Sequence, residues 1–174
     1  MTSIRDMEDF EPKARSINAA MLASAKAGST KGAPGVIRWG DRLVRTADVF
    51  DTPPGGTVKI EFLQRKYDFR QGMDISVSEG IILADGARIP VLRTWNDPEY
   101  EDVLQYEFLS PDRKISVWNV YEDANAMGTC WPAKWGGNAG FWLEIDGNQR
   151  TYHCSAGPCP APDFEALLFR VTLG

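Results

Sequence analysis

The sequence predicts a mainly β protein, a two-sheet antiparallel β-sandwich of jelly-roll type preceded by one N-terminal helix. Apolar and polar residues alternate from Ile81 to Tyr121, which predicts three successive strands with one buried face each. The joints are turn sequences, Asp85-Gly86, Asn96-Asp97-Pro98 and Ser110-Pro111-Asp112. Roughly eight to ten strands in a chain of this length favour a sandwich, and a closed β-barrel is the alternative.

The N-terminal 35 residues differ in composition from the rest and predict a helix and a linker. Pro12 suits the first turn of a helix, and residues 13–26 are rich in Ala, Met and Leu. We therefore expect residues 1–35 to form the helix and linker, and residues 36–174 to form the β domain.

The predicted helix carries a thin apolar stripe. Phe10, Ala14, Ile17 and Met21 step by four, three and four, the spacing of one helical face. Such a stripe favours packing of the helix on its own domain. The alternative is a homodimer paired through residues 10–26.

Strand after strand follows from Val36 onward. The candidates share apolar alternation and are bounded by turn dipeptides such as Asp85-Gly86 and Gly147-Asn148. In the strand from Thr57 to Leu63, Val58, Ile60 and Phe62 share one face, which predicts a core face. The predicted strands are Val36–Trp39, Leu43–Phe50, Thr57–Leu63, Asp74–Val77, Ile81–Ala84, Arg88–Trp95, Asp102–Leu109, Lys114–Tyr121, Phe141–Asp146, Arg150–Ser155 and Phe164–Leu173.

Composition limits the classes of partner. The chain has a formal net charge of −5 and lacks a dense Lys/Arg cluster, so nucleic acid is not an expected partner. No apolar run approaches the ~20 residues of a membrane helix. The N-terminus lacks the pattern of a secretory signal, and the three cysteines are an odd number, which predicts a cytoplasmic location.

A single histidine, His153, restricts the chemistry of the chain. Acid–base and nucleophilic sites use histidine more than any other side chain, and no Gly-x-Ser-x-Gly motif is present. A zinc site from His153, Cys154 and Cys159 is disfavoured, because neighbouring residues of a strand point to opposite faces. The sequence therefore favours a protein without catalytic activity and without a cofactor.

An acidic joint follows Trp95. Its carboxylates could supply the oxygen ligands that calcium prefers, although no recognised calcium-loop spacing is present. Two of them at a suitable separation could also serve glycoside hydrolysis. The four carboxylates are Asp97, Glu99, Glu101 and Asp102.

The most unusual composition lies between Thr129 and Trp142. Trp131, Trp135 and Trp142 occur here among glycines. Exposed indoles can stack on sugar rings or anchor a protein partner, whereas buried ones fill a core. Trp142 lies on the strand face opposite to Phe141, so we expect it to be covered by the N-terminal helix or by a second protomer.

These patterns predict a ligand- or protein-binding module with an aromatic surface. Its partner is an unknown protein or small molecule. The alternatives are a carbohydrate-binding or carbohydrate-processing domain with Trp platforms, and a calcium-dependent binding module. The predicted ligand-binding residues are Trp95, Tyr100, Trp131, Trp135 and Asn138.

Overall fold

The computed structural model describes residues 3–26, 35–123, 131–133 and 137–174, with the backbone alone described for residues 123 and 131–133. The described residues form one α-helix, a short 3-10 helix at Ile4–Asp6 and twelve strands, which confirms a mainly β fold. The elements are α1 (Ile17–Lys26), β1 (Val36–Trp39), β2 (Arg42–Arg45), β3 (Asp48–Asp51), β4 (Gly55–Arg65), β5 (Gln71–Ile82), β6 (Arg88–Trp95), β7 (Val103–Leu109), β8 (Lys114–Asp123), β9 (Trp131–Ala133), β10 (Gly140–Asp146), β11 (Gln149–Ser155) and β12 (Leu167–Leu173).

The strands form one continuous antiparallel sheet curled into an open half-barrel. Its order is β1-β2-β10-β11-β12-β4-β7-β5-β8-β3, with β6 on β5 and β9 on β8. A sandwich of two separate sheets is not confirmed, because hydrogen bonds join all these strands. The closed barrel is not supported, since β1 and β3, the ends of this path, do not pair with each other among the described residues.

Strand β5 changes partners along its length. Residues 71–77 pair with β8, residues 80–82 pair with β7, and β6 follows the other edge. Gly80 lies at the change with φ +117°, and a Cβ there would come within 2.9 Å of the Ile89 carbonyl oxygen. The predicted strands Asp74–Val77 and Ile81–Ala84 are therefore one strand with a bend.

The strands predicted between Ile81 and Tyr121 form, but they do not pair in chain order. β6 has the predicted bounds and forms a hairpin with β5. β7 pairs with β4 and β5, and β8 pairs with β5, β3 and β9. Alternation determined which residues are extended, whereas pairing depends on contacts distant in sequence.

The predicted strand Leu43–Phe50 is interrupted. Thr46 and Ala47 separate β2, which lies near one end of the sheet, from β3, which lies at the other end. β9 was not predicted.

One buried cluster draws on both arms of the curled sheet. It contains Val58, Ile60 and Phe62 of β4, which confirms the core face predicted for that strand. Phe50 of β3 and Phe141 of β10 belong to the same cluster. The hydrophobic interior thus lies inside the half-barrel.

The N-terminal segment packs on β1 and β2. α1 begins at Ile17, four residues later than predicted, because residues 10–14 form a turn with the Ala14 N–H bonded to the Phe10 carbonyl at 2.8 Å. Ser16 caps the helix through its hydroxyl, which accepts from the Ala19 N–H at 3.1 Å. Phe10, Ile17 and Ala20 are buried with β1 and β2 side chains. No helix among the described residues is long and apolar enough to cross a bilayer. The homodimer through residues 10–26 stays a prediction.

Candidate ligand-binding site

Trp95 lies at the end of β6, half-buried beneath arginine side chains. The Arg70 guanidinium lies 4.3 Å from the centre of its ring, and that of Arg93 lies 5.8 Å away. Both distances allow cation–π attraction. We call Trp95, Arg70, Arg93, Asp74 and Asp97 the Trp95 cluster.

Arg70 is saturated by acidic partners. Its Nε and Nη2 donate to the two carboxylate oxygens of Asp97 at 2.9 and 2.6 Å, and its Nη1 donates to Glu122 at 3.2 Å. The hydrogen bonds to Asp97 raise the pKa of Arg70. Arg70 therefore has both a ring and two carboxylates as partners within the protein.

Arg93 is held in the same way by a buried carboxylate. Its Nε and Nη2 each donate to Asp74 at 2.8 Å, and the indole N–H of Trp118 donates to Asp74 at 3.0 Å. Asp74 is 1% exposed, and its hydrogen bonds raise the pKa of Arg93. Three donors thus compensate the burial of this charge.

The acidic joint is not assembled as a metal site. The Asp97 carboxylate accepts hydrogen bonds from Arg70, while Glu99, Glu101 and Asp102 are exposed. Across the ranges that the structure describes, no three His, Cys, Asp or Glu side chains are gathered as metal ligands. The calcium prediction gains no support from this geometry. The same holds for zinc, because Cys154 is fully buried while His153 lies on the opposite face.

The predicted binding residues separate into three environments. Trp95 and Tyr100 share one loop region, and Tyr100 is 60% exposed. Trp131 lies in β9 with its side chain outside the described residues, and Trp135 also lies outside them. Asn138 is buried, with its Oδ1 accepting from the Ile17 N–H at 3.3 Å and its Nδ2 donating to the Cys159 carbonyl at 2.7 Å. These contacts give Asn138 a role in holding the start of α1.

A cleft of about 650 Å³ opens between β2, β3 and β10. Residues 41–43 and Arg45 line it on one side and residues 48–50 on another, together with Arg150. Trp142, Leu143 and Ile145 of β10 all border it. Because adjacent residues of a strand point to opposite faces, a cleft bordered by both Trp142 and Leu143 runs along the edge of β10.

Trp142 lies between two flat side chains. The Arg42 guanidinium is 3.7 Å from its ring centre, and His153, its cross-strand partner, stacks on it at 3.8 Å with 7° between the planes. The Nε2 of His153 lies 3.0 Å from the Glu144 carboxylate. Arg42 and His153 therefore both lie against the indole ring of Trp142. Cover of Trp142 by the N-terminal helix or by a second protomer stays a prediction.

The inner wall of the cleft is held by Asp48. This carboxylate, on a residue 4% exposed, accepts from Arg150 at 3.0 Å and from the Tyr152 hydroxyl at 2.8 Å. The Arg150 guanidinium lies 3.9 Å from the ring centre of Phe50. Burial, together with the nearby charge of Asp48, raises the pKa of Tyr152 well above its ordinary value.

Arg45 differs from the other two arginines of the cleft. Arg150 pairs with Asp48, and Arg42 lies 3.6 Å from Asp41. Among the described residues, no carboxylate lies within 4.0 Å of the Arg45 guanidinium. A positive charge without an ion-pair partner therefore borders a cleft that also contains exposed apolar side chains, Val49 and Ile145, each 61% exposed.

No protein-family model, curated protein or solved structure matches the chain.

Sequence reasoning missed this cleft for a physical reason. Its arginines are Arg42, Arg45 and Arg150, and no sequence motif links them. The available signal was the composition of the segment from Arg42 to Asp51, where four Arg or Asp residues, Arg42, Arg45, Asp48 and Asp51, are separated by mostly apolar residues. Only the bend at Thr46 and Ala47 brings β2 and β3 to opposite sides of one opening.

Proposed function

We propose that this chain is a non-catalytic binding module and that the cleft between β2, β3 and β10 takes its ligand. The observation that carries the proposal is that Arg45 borders the cleft and that its guanidinium has no carboxylate partner among the described residues. Ligand sites combine an apolar lining with a few polar groups that fix orientation. Here Val49 and Ile145 supply the apolar surface and Arg45 supplies the charge.

The chemistry of the cleft favours a ligand with an anionic group and an apolar body. A guanidinium presents a planar fork of donors that fits a carboxylate in two contacts. The indole of Trp142 adds little free face, since Arg42 and His153 cover both sides. The ligand then contacts aliphatic side chains and arginine, rather than stacking on this tryptophan.

The Trp95–Tyr100 surface remains the second binding surface that we propose. Tyr100 is well exposed. Val103 follows it by three residues and is 49% exposed. Leu63 lies two residues beyond Glu61, the β4 partner of Val103, and is 45% exposed. This apolar patch fits a protein contact better than a sugar, because Trp95 already lies against Arg70. A carbohydrate platform stays a prediction for Trp131 and Trp135.

Two finer aspects also remain proposals. A jelly-roll division into two sheets is compatible with the partner change along β5. A cytoplasmic location is compatible with Cys154 and Cys159, which are free buried thiols.

An NMR titration tests the cleft with a minimal ligand. Phenylacetate carries one carboxylate and one apolar ring, and phenylacetamide has the same shape without the charge. We expect saturable ¹H–¹⁵N shifts at Arg45, Leu143 and Ile145 with phenylacetate and much smaller ones with phenylacetamide. Arg45→Ala should weaken phenylacetate binding about tenfold.

Arg88→Ala serves as the matched control, since this arginine is exposed on β6 and does not border the cleft. Shifts confined to residues 95–103, or an equal response to the acid and the amide, would contradict the proposed site.

A further inference from the structure

Among the described strands, none pairs with the cleft-facing edge of β10 over most of its length. β10 pairs with β11 through all seven of its residues, but it pairs with β2 at one position, Phe141 with Arg45. Beyond Phe141, no described strand lies on that edge. β2 leaves β10 at this point, and the opening between them is the cleft.

The hairpin geometry assigns the backbone groups of this edge. Asp146 and Gln149 close the β10–β11 hairpin around Gly147 and Asn148, and the closing pair of such a two-residue loop exchanges hydrogen bonds. Backbone groups along an antiparallel strand alternate between its two edges. The N–H and C=O groups of Leu143 and Ile145 therefore point away from β11 and towards the cleft.

A free strand edge inside a cleft can pair with an extended chain. Unpaired N–H and C=O groups in a row are a template for strand addition, and side-chain pockets on both sides give specificity. The cleft supplies such surfaces in Val49 and Ile145, both 61% exposed. β2 pairs with this edge of β10 at one position, Phe141 with Arg45, so a strand fits against the edge there.

The charge of the cleft selects the kind of chain. Arg42, Arg45 and Arg150 border it, against Asp41 and Asp48. Asp48 is already satisfied by Arg150 and Tyr152. Among the cleft arginines, Arg45 is the one whose guanidinium has no carboxylate partner in the described part of the chain, and it lies at the position where strand pairing stops. A peptide carrying carboxylates meets this charge, whereas a basic peptide meets repulsion.

We infer that an extended acidic segment of a partner protein pairs with β10 across Leu143 and Ile145 and adds a strand to the open half-barrel. The inference rests on the proposed function, because it names the ligand class of the same cleft. Backbone hydrogen bonds supply register and Arg45 supplies the preference for acidic residues.

Fluorescence anisotropy with a labelled peptide tests the inference. The probe is fluorescein-Gly-Val-Glu-Val-Glu-Val-Glu-Gly, and the control replaces each Glu by Lys. We expect the acidic peptide to bind and the basic one to bind at least about tenfold more weakly. Arg45→Ala should reduce this preference, while Arg88→Ala should retain it.

Backbone methylation of the probe separates strand addition from simple charge attraction. One version carries N-methyl groups on the three Val residues and the other on the three Glu residues. In a paired strand the N–H groups of alternate residues face β10. We expect one version to lose about tenfold or more in affinity and the other to retain it within about twofold. Equal affinities for the two versions would overturn strand addition.

Ile145→Pro tests the same edge on the protein. The N–H lost in this variant points to the cleft, so the β10–β11 ladder keeps its bonds and folding should persist. Glu144→Pro is the matched control, because its N–H belongs to the β11 side and its loss should lower the melting temperature strongly. We expect Ile145→Pro to keep its fold, as judged by circular dichroism, and to lose binding of the acidic peptide. A folded Ile145→Pro variant that still binds the peptide would overturn the inference.

The outcomes distinguish this inference from the proposed function. Phenylacetate binding without peptide binding overturns the acidic segment and leaves the cleft as a small-ligand site. Failure of both removes the proposed function as well. A concentration-dependent dimer in light scattering that Ile145→Pro dissociates would assign the edge to a second copy of the chain and overturn the partner-peptide assignment.

Discussion

The Trp95 cluster and the cleft both place a guanidinium on a tryptophan, yet they differ in how their charges are matched. Arg70 lies 4.3 Å from the ring centre of Trp95, and Arg42 lies 3.7 Å from that of Trp142. In the Trp95 cluster both arginines have carboxylate partners at short distance. In the cleft Arg45 has none among the described residues.

The difference separates two roles that look alike in sequence. A tryptophan surrounded by satisfied charges stabilises the fold, because each buried donor and acceptor already has a partner. A cleft with an unmatched charge and exposed apolar side chains retains capacity for a ligand. Aromatic residues alone therefore do not identify the binding surface of this protein.

The largest expected effect comes from breaking the Trp95 cluster at Asp74. Asp74→Ala removes a buried carboxylate that accepts two hydrogen bonds from Arg93 and one from the indole N–H of the buried Trp118. We expect a loss of ~3 kcal/mol in the free energy of unfolding, measured by urea denaturation. Glu107→Ala, an exposed position on β7, should change it by less than ~0.5 kcal/mol. A similar small loss at Asp74 would show that the cluster contributes little to stability.

Much of the fold followed from local patterns. Alternation predicted the bounds of β1 and β6 and the buried face of β4, since a strand with one buried face imposes a period of two. The start of α1 at Ile17 did not follow, because part of its cap comes from Asn138, 121 positions away in sequence. Pairing order and the curl at Gly80 likewise depend on contacts distant along the chain.

Tyr152, which donates to Asp48 at the inner wall of the cleft, should make the free energy of unfolding depend on pH at high pH. Burial raises the pKa of Tyr152, so the folded chain holds the phenol proton more tightly than the unfolded chain does. Stability from this group is fully present below pH ~10, the ordinary phenol value, and falls as the pH rises further. A single proton limits the loss to ~1.4 kcal/mol per pH unit.

We expect Tyr152→Phe to make the unfolding free energy less dependent on pH above pH ~10 than in the wild type. Tyr67 provides the contrast near the surface. Its hydrogen bond to Asp163 raises the pKa of Tyr67 to about 12, and Tyr67→Phe should flatten the same profile less. An unchanged slope in Tyr152→Phe would show that alkaline unfolding has another origin.

The site itself was only partly accessible from sequence. Tyr100 is exposed, but Asn138 is buried in contacts with α1 and Cys159, so its polar side chain in a glycine-rich loop was a misleading signal. The cleft lies between β2, β3 and β10, and the residues that line it share no sequence motif and no regular spacing. A charge without a partner is visible only after the other charges have been placed in space.

The smallest effects on the free energy of unfolding are expected from removing one arginine from the Trp95 cluster and one from the cleft. Arg70→Ala deletes contacts with Asp97, Glu122 and Trp95, and we expect it to cost ~1 kcal/mol, since its side chain is 34% exposed and solvent weakens these pairs. Arg45→Ala deletes a charge without an ion-pair partner in the described residues, and the change in unfolding free energy should stay within ~0.5 kcal/mol.

Added phenylacetate should reverse the order of the melting temperatures of the two variants, so that Arg70→Ala becomes the more stable one. Because a ligand stabilises only the state that binds it, the melting temperature of Arg70→Ala should rise with added phenylacetate as in the wild type, while that of Arg45→Ala should rise much less. If Arg45→Ala instead destabilises the free protein more than Arg70→Ala does, the guanidinium of Arg45 is part of the structure, and the contrast between the two regions disappears.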